Sequence, residues 1–461
     1  MFAADKPTVP GGPGRSPGRS PLTAARSFSR RSVLGTTLAA TAGLAVGCGN
    51  DSAATGDGSS SFTYWSMWKQ DEPQATVIKA AIDRFTKDTG VTVNVQWKGR
   101  QVVQQLAPTL NTSNVPADLV DSADRFAYAQ LYATGQALDL TPVLGLAVHG
   151  ESGNTVGSVV PAKYRDLDTT DGVLWQLPYE VLTTQIWYDG HALPDVAAQP
   201  PATWDEFAAL LSTRRRKRGD GPLALDGDIA DYAAYWTYYA VLRGLGPGAF
   251  GRAAADKSGA LLKADGFVDA LARIEDLVKG GDFTKGYDGS KWPAVQQKWA
   301  KGKSDFLLLG TFAPSETAEF AGSGFTYRSF PFPAFASGGD ASQDISLIGF
   351  SIPKKARNTA AAQKFLAYFF AKKHLEGISS KAKNLTPRED ITAPAELADA
   401  QKALASGTVV KTLDGVKETA AEWYTKVFQP LNTAFLTGGL TAKDFAEKLS
   451  SDSAGYWKTA A

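Results

Sequence analysis

Residues 62–97 read FTYWSMWKQDEPQATVIKAAIDRFTKDTGVTVNVQW, and this stretch decides the fold class. Its first four residues have the composition of a strand. A helix follows, because apolar side chains recur there on one helical face: Val77, Ile78, Ala81, Ile82 and Phe85. Gly90 ends this helix, and alternating apolar residues up to Trp97 predict a second strand. Strand, helix and strand in this order form a βαβ unit, which predicts an α/β fold with a mainly parallel sheet.

Helical spacing and strand alternation of apolar residues continue to follow one another along the rest of the chain. Apolar residues at helical spacing predict helices over about Val102–Leu110, Trp204–Leu211, Phe267–Val278 and Ala360–Lys372. Short apolar runs predict strands at Ala117–Val120, Ile186–Tyr188 and Phe306–Leu309. No segment repeats with a period of roughly 20–50 residues, so the fold is not a solenoid.

The helix that begins at Trp204 carries start and stop signals. Thr203 is placed as its N-cap, and Glu206 completes a capping box. The basic run Arg214–Arg218 ends the helix just before Gly219, where cations interact favourably with the helix dipole. This run is either a solvated helix end or a contact for a partner or a lipid head group.

Composition excludes several classes of protein. The chain has 461 residues, 43% of them hydrophobic, which is too apolar for a disordered protein. Residues 1–47 hold six Lys or Arg and one Asp, so the remaining chain carries a net charge of 1 − 5 = −4. This mildly acidic body argues against nucleic acid as a partner. A single cysteine excludes an intrachain disulfide and a cysteine-rich metal site.

Residues 1–47 have the features of an export signal. Residues 1–28 are rich in Pro, Gly, Ser and Arg and cannot bury enough surface to fold. Ser29-Arg30-Arg31-Ser32-Val33-Leu34 resembles a twin-arginine motif, although export by the Sec route remains open. The apolar run Val33–Gly47 is shorter than the roughly 20 residues of a membrane-spanning helix, so it is predicted to be the apolar part of the signal.

Cys48 is a candidate lipidation site. Leu44-Ala45-Val46-Gly47-Cys48 resembles a bacterial lipobox, with Ala45 where Leu is usual. The alternative is that Cys48 is an ordinary small residue of a cleaved signal. Residues 48–61, almost all Gly, Ser, Ala and Asp, are predicted to be a flexible tether. We therefore expect a body anchored by lipid to the extracytoplasmic face of a bacterial cell membrane, most naturally in a Gram-positive bacterium.

A series of motifs from residue 62 to the C-terminus resembles the family-1 extracellular solute-binding proteins, the maltose-binding-protein-like receptors of sugar ABC importers. The motifs follow in the family's order: Tyr64-Trp65, Phe85–Gly90, Pro116–Val120, Gly172–Tyr179, Trp187–Asp189, Pro201–Phe207, Gln297–Ser304, Gly349–Ile352 and Thr386-Pro387-Arg388. No single motif is specific. Their order is what identifies the resemblance.

The resemblance implies a periplasmic-binding-protein-like type II fold. Two α/β lobes would enclose a ligand cleft and be joined by two or three crossovers, one beyond Pro178 and one near residues 326–331. The implied lobes are 62–180 with 331–371, and 181–330 with 372–461. It also implies ABC permease subunits with an ATPase as partners, a sugar-like small molecule as ligand, and a monomeric receptor.

Open α/β sheets bind ligands beyond the carboxyl ends of their strands, so the residues that follow strands are the candidates for ligand contact. These are Trp65, Trp68, Lys69, Asp121, Asp124, Arg125, Tyr179, Glu180, Gly310, Thr311 and Phe312. The resemblance also carries ligand contact onto Asp124 and Arg125, and an aromatic platform onto Phe312 and Trp423. The dense aromatic segment Asp231–Tyr239 adds Tyr232 and Trp236. For each aromatic side chain, packing in the core is the alternative.

An enzyme is the catalytic alternative to a receptor. Two of the carboxylates Asp121, Asp124 and Glu180 would serve a glycosidase. The sequence has neither a Gly-x-Ser-x-Gly elbow nor a His-Glu-x-x-His motif, and its three histidines lie in unrelated contexts. We therefore expect a binding protein with no catalytic residue, metal or cofactor. A peptide-binding or sensory surface lipoprotein is the other alternative.

Overall fold

The computed structural model describes residues 60–460. The predicted export signal, Cys48 and nearly all of the tether lie outside the described residues. The described part of the chain contains the strands β1 Ser61–Ser66, β2 Thr92–Trp97, β3 Leu119–Ala123, β4 Thr169–Thr170, β5 Val173–Leu174, β6 Leu177–Asp189, β7 Leu223–Ala224, β8 Phe306–Gly310, β9 Tyr327–Phe330, β10 Gln343–Ser351 and β11 Val409–Lys411.

The α-helices are the other main elements of the described residues. They are α1 Pro73–Thr89, α2 Val102–Leu106, α3 Asp124–Ala127, α4 Val156–Val159, α5 Ala162–Arg165, α6 Pro194–Ala198, α7 Trp204–Arg218, α8 Ala230–Leu245, α9 Ala249–Ala255, α10 Asp265–Gly280, α11 Ala294–Ala300, α12 Ala313–Thr317, α13 Thr359–Phe369, α14 Lys372–Ser380, α15 Ala398–Ser406, α16 Val416–Thr419, α17 Ala421–Trp423, α18 Gln429–Leu436 and α19 Ala442–Ala460. Within residues 60–460, no helix has the length and apolar character needed to cross a membrane.

The predicted βαβ unit is confirmed, but the sheet is mixed rather than mainly parallel. Nine strands pair in the order β2-β1-β3-β10-β6-β8-β7, with β11 beside β10 and β9 beside β6. Pairing is parallel between β1 and its neighbours β2 and β3, and antiparallel between β10 and both β3 and β6. Strand β6 is also antiparallel to β8 and β9. The pairing is mixed because the long strands β6 and β10 lie in the middle of the sheet and are antiparallel to each other, to β3 and to β8.

Strand β6 joins two lobes. Its 13 residues span about 43 Å at roughly 3.3 Å per residue. Residues 177–183 pair with β10 in the first lobe, which also contains β1, β2 and β3, whereas residues 184–189 pair with β8 and β9 in the second lobe. The start of β10 and strand β11 lie side by side next to this change of partners, since Ile345 is opposite both Thr183 and Lys411. Segments of β6, β10 and β11 therefore lie side by side where the lobes meet.

Two sequence-based assignments differ from the structure. Residues Tyr327–Phe330 pair with the second-lobe half of β6, so the crossover expected near 326–331 comes later, where β10 begins at Gln343. The segment after 371 was expected in the second lobe, but α14 packs against α1 of the first lobe, and the Val181 amide donates to the Leu385 carbonyl at 2.9 Å. The regular period of α14 gives no information on which lobe its apolar face contacts.

The signals predicted for helix α7 are confirmed. Thr203 caps the helix in a capping box with Glu206, and Gly219 ends it with a left-handed backbone. Three cations of the basic run are paired: Arg214 and Arg218 with Asp305, at 2.9 and 2.8 Å, and Arg215 with Asp282, whereas Arg216 and Lys217 are exposed. These ion pairs hold the end of α7 against the second lobe.

Candidate ligand-binding site between the lobes

Several of the residues predicted to contact ligand form a buried network inside the first lobe. The Trp68 indole N–H donates to the Tyr179 hydroxyl at 2.7 Å, and that hydroxyl donates to the Asp121 carboxylate at 2.7 Å. The Met67 amide donates to the other Asp121 oxygen at 2.8 Å. Burial raises the pKa of Asp121 to about 6 despite these bonds. The structure therefore places Trp68, Tyr179 and Asp121 where they support strand β1 from within.

Three neighbouring candidates belong to the first lobe as well. Glu180 and Trp65 contact other residues of this lobe, and Lys69 is exposed. Glu180 is buried and accepts a hydrogen bond from the Asn384 side chain at 2.7 Å, and burial raises its pKa to about 8. The Lys98 ammonium lies 4.1 Å from the centre of a Trp65 ring. Lys69 is exposed, and its backbone amide donates to Glu72.

Two further candidates lie in the interior of the second lobe. Trp236 is fully buried and packs edge-on against Phe283 and Phe332. Trp423 is fully buried, stacks on Phe428 and donates its indole N–H to Ser453 at 2.8 Å. Packing in the core, the alternative stated for these aromatic residues, is the arrangement found here.

Two further candidates, Asp124 and Arg125, lie near polar residues of the second lobe, at the place where the lobes meet. Asp124 and Arg125 open the short helix α3 of the first lobe, and Asp231 and Tyr235 lie one turn apart at the start of α8 in the second. Arg125 interacts electrostatically with both Asp231 and Tyr235. Lys417 of α16 completes this group, which we call the interlobe cluster: Asp124, Arg125, Asp231, Tyr235 and Lys417. Polar groups from both lobes thus converge on one place.

Asp231 is the residue of the interlobe cluster that accepts the most hydrogen bonds from second-lobe side chains. Its carboxylate accepts hydrogen bonds from Lys417 at 2.6 Å, from the Tyr424 hydroxyl at 2.8 Å and from Gln429 at 2.9 Å. Burial alone would raise the pKa of Asp231, but these donors and the Arg125 charge outweigh burial and lower it. Asp231 is therefore ionised and fixed in orientation.

Arg125 differs from Asp231 because residues 60–460 use none of its side-chain donors. The guanidinium lies 4.5 Å from the Phe126 ring centre, yet it donates no hydrogen bond to residues 60–460 and lies in no ion pair with them shorter than 4.0 Å. The side chain is half-buried. A guanidinium carries five N–H donors in a planar fork, so Arg125 presents a set of donors to whatever occupies the space between the lobes.

A row of aromatic rings extends from Tyr235 of the interlobe cluster into the second lobe, where Tyr232 and Phe312 are buried. Tyr232 stacks on Tyr235 with ring centres 6.5 Å apart and an angle of 15°, and Phe312 continues the row 6.3 Å beyond Tyr232. Gly310 permits this position, because a Cβ atom there would lie only 2.2 Å from Phe312. Thr311 is buried, and its amide donates to the Thr183 carbonyl at 2.9 Å, which fixes the turn beneath Phe312.

A buried charge cluster lies behind Asp124. The Lys411 ammonium is 3.2 Å from Asp124, 3.0 Å from Asp168 and 3.6 Å from Glu418. Burial raises the pKa of Asp168 to about 8, because the attraction of Lys411 offsets only part of that effect. Burial would also lower the pKa of Lys411, but Asp124 and Asp168 outweigh it and raise that pKa. Lys411 is therefore a permanent cation that holds Asp124 in place.

This cluster predicts a pH dependence of stability. In the folded protein Asp168 keeps its proton up to about pH 8, whereas an unfolded carboxyl loses it near pH 4. Stability should therefore fall as the pH rises through this window, because the folded state binds the extra proton. In Asp168→Asn this contribution is absent, so its melting temperature should fall less steeply over the same range. Equal slopes for the variant and the native protein would contradict the assignment.

The sequence analysis placed Asp231 and Tyr235 within the dense aromatic segment but did not select them as site residues, and it missed Lys411, Lys417 and Tyr424. A signal was present for two of them, since Asp231 and Tyr235 are spaced i, i+4 and so share a helix face, while Tyr232 and Trp236 share the next face. The others depend on tertiary contacts. Among the described residues no group of His, Cys, Asp and Glu side chains is arranged to hold a metal ion.

The sequence matches the family of bacterial extracellular solute-binding proteins over residues 69–374. The chain belongs to this family. The solute-binding protein is 23% identical over 331 residues to the maltodextrin-binding protein MdxE of Bacillus subtilis strain 168, and this match covers 71% of the chain and 73% of MdxE. It is 27% identical over 177 residues to a probable sugar-binding periplasmic protein of Rhizobium meliloti strain 1021, a match that covers 38% of the chain and 42% of that relative.

Solved structures confirm the fold of the solute-binding protein. A cyclo/maltodextrin-binding protein in complex with maltotetraose superposes with a TM-score of 0.67 at 16% identity, covering 88% of this chain and 99% of that one. The predicted periplasmic-binding-protein-like type II architecture, with two α/β lobes, is therefore correct.

Proposed function

We propose that this protein captures a carbohydrate, from a mono- to an oligosaccharide, between its lobes. The observation that carries the proposal is the unused guanidinium of Arg125 opposite the fixed carboxylate of Asp231 and the half-exposed ring of Tyr235. A sugar has apolar C–H faces, which suit an aromatic ring, and a rim of hydroxyl groups, which suits a guanidinium and a carboxylate together. The names of the two sugar-binding relatives support the same ligand class.

The proposed binding residues are a subset of the predicted ones together with the newly found ones. From the first lobe we propose Asp124 and Arg125 as ligand contacts. From the second lobe we propose Tyr232, Tyr235, Asp231 and Phe312. Gly310 and Thr311 act indirectly by placing Phe312.

We propose that binding is not followed by catalysis. A glycosidase needs two carboxyl groups facing one substrate. Asp121 is fixed by Tyr179 and Met67, and Glu180 is bonded to Asn384. Asp124 accepts from its neighbour's amide at 2.8 Å and from Lys411 at 3.2 Å. Two of the three carboxylates considered from the sequence, Asp121 and Glu180, are thus engaged inside the first lobe, so no pair among these three faces the space between the lobes.

The remaining parts of the proposal concern location and partners. We propose that the receptor is monomeric and is held at the extracytoplasmic face of the cell membrane of a Gram-positive bacterium by lipid on Cys48. It would deliver its ligand to the permease subunits of an ABC importer, whose ATPase drives uptake. Ligand that contacts both lobes would favour a closed form, and that form would be recognised by the permease.

A thermal-shift screen tests the ligand class. The full chain is heated with a panel of mono- and oligosaccharides, polyols, amino acids and oligopeptides. A ligand at about 100 times its dissociation constant adds about 2.7 kcal/mol of stability, so a saccharide that binds should raise the melting temperature clearly. A response to peptides with none to sugars would refute carbohydrate capture and favour a peptide-binding or sensory lipoprotein. Release of a chromophore from an aryl glycoside would refute the absence of catalysis.

A further inference from the structure

One carboxylate connects the three strand segments that lie side by side where the lobes meet. Asp344 lies near the start of β10 and is 1% exposed. One of its oxygens accepts hydrogen bonds from the Thr184 amide at 3.0 Å and from the Tyr239 hydroxyl at 2.5 Å. The other accepts from the Thr184 hydroxyl at 3.1 Å and the Thr412 hydroxyl at 2.7 Å. The carboxylate therefore has four donors, which is close to its full capacity.

The positions of these donors matter more than their number. Thr184 is the residue at which β6 changes its partners from the first lobe to the second. Thr412 directly follows β11, the strand beside the start of β10. Tyr239 belongs to α8 of the second lobe, where its ring stacks on Phe332 at 4.9 Å. Any rotation of one lobe against the other at these segments must change the geometry around Asp344.

The same connections lead to the interlobe cluster. Helix α8, bonded to Asp344 through Tyr239, carries Tyr235 about one turn and Asp231 about two turns before Tyr239. Strand β11 ends at Lys411, which contacts Asp124 of the first lobe. Residues of the cluster from both lobes are thus one or two contacts away from one buried carboxylate.

We propose that Asp344 is a positioning residue that sets the angle between the lobes and, through it, the distance between Arg125 and the Asp231–Tyr235 face. This inference rests on the proposed function insofar as that angle controls ligand affinity. Asp344 does not itself contact ligand. Its charge lets four hydroxyl and amide donors share one acceptor group, whereas a neutral amide would leave part of this set unsatisfied.

The angle is measured directly without ligand. In the full chain carrying Cys48→Ser, two introduced cysteines are the only thiols, and we place them at Lys79 on α1 and Lys443 on α19. Both side chains are well exposed and lie far from the interlobe cluster in sequence. Spin labels or fluorophores at these positions report the distribution of distances between the lobes. Asp344→Asn should shift or broaden this distribution relative to the native residue.

Asp118→Asn is the matched control. Asp118 is also buried and also accepts four hydrogen bonds, from the amides of Thr63, Arg357 and Asn358 and from the Asn358 side chain, all within the first lobe. Its substitution should lower the melting temperature but leave the distance distribution unchanged. A distribution for Asp344→Asn that matches the native one, or a shift of equal size in Asp118→Asn, would overturn the proposal.

Milder variants cover the case in which Asp344→Asn does not fold. Tyr239→Phe and Thr412→Val each remove one donor and keep most of the side-chain volume. Both variants should shift the distance distribution, and the two shifts should have the same direction. An unchanged distribution in both variants would overturn the proposal.

Ligand binding provides a second readout. With a sugar that stabilises the native protein, Asp344→Asn should weaken affinity about five- to twentyfold, in the range of ordinary coupling between sites. An unchanged affinity would overturn the proposed link between angle and binding. If the native protein binds no sugar, the proposed function fails, whereas the distance measurement, which uses no ligand, still decides the role of Asp344.

Discussion

Replacing Trp236 by alanine is expected to lower the free energy of unfolding by about 3–5 kcal/mol, the usual cost of deleting a large buried aromatic side chain. Trp236 is fully buried and packs against Phe283 and Phe332, so truncation leaves a cavity in the second lobe. We do not expect the affinity for ligand to fall by a comparable amount among the molecules that remain folded. Denaturant unfolding, with ligand titration at a temperature where the variant is folded, measures both quantities.

Tyr235→Ala is the matched control for this prediction, because it changes the adjacent residue of the same helix. Tyr235 is half-exposed and belongs to the interlobe cluster. Its truncation should reduce affinity far more than stability, the reverse of the result for Trp236. If Trp236→Ala instead abolished binding and left the unfolding free energy unchanged, the ligand would have to reach the interior side of α8.

The order of elements could be predicted from the sequence, but the central strand could not. Periodicity identified β1, α1 and β2 because each buries one face. Only Ile186–Tyr188 of β6 was predicted, although the strand runs from Leu177 to Asp189. Its middle residues are polar and still buried, since Thr184 bonds Asp344 and Gln185 bonds Gln343, both of them distant in sequence. Polarity that is satisfied by remote partners resembles a loop when only the local pattern is read.

The candidate site was predicted in its chemistry rather than in its full membership. Asp124 and Arg125 were found because the family motif and the end of β3 coincide there. The number of aromatic residues near α8 was informative, but it could not separate Tyr235, which faces the other lobe, from Trp236, which faces the core. Lys411 is the last residue of β11 and Lys417 lies in the short helix α16, and neither belongs to a recognisable motif, so only the fold shows that they approach Asp124 and Asp231.

Arg125→Ala is expected to weaken ligand binding roughly 30- to 100-fold, which corresponds to about 2–3 kcal/mol. The guanidinium is the side chain in the interlobe cluster whose donors are not engaged by residues 60–460, so its truncation removes bonds to the ligand and few within the protein. Isothermal titration with the sugar identified by thermal shift measures the loss. The melting temperature without ligand should change little.

Arg125→Lys separates the two contributions of this side chain. Lysine keeps the positive charge but lacks the planar fork, so an affinity between those of the native protein and Arg125→Ala indicates that multidentate bonding to hydroxyl groups matters. An affinity equal to the native value would indicate that charge alone is used, which suits an anionic ligand better than a neutral sugar. Arg84→Ala, an exposed change on α1, controls for the loss of a cation elsewhere.

Asp231 is a less direct test of the same site, because it has three protein donors and its removal would leave Lys417 buried without its partner. A loss of affinity in Asp231→Asn would therefore mix ligand contact with rearrangement of α16. The Arg125 side chain makes no hydrogen bond or ion pair with residues 60–460 that its truncation would break. Native affinity in Arg125→Ala would place the ligand away from the interlobe cluster, and the aromatic row of Tyr232, Tyr235 and Phe312 would then have to be explained as packing.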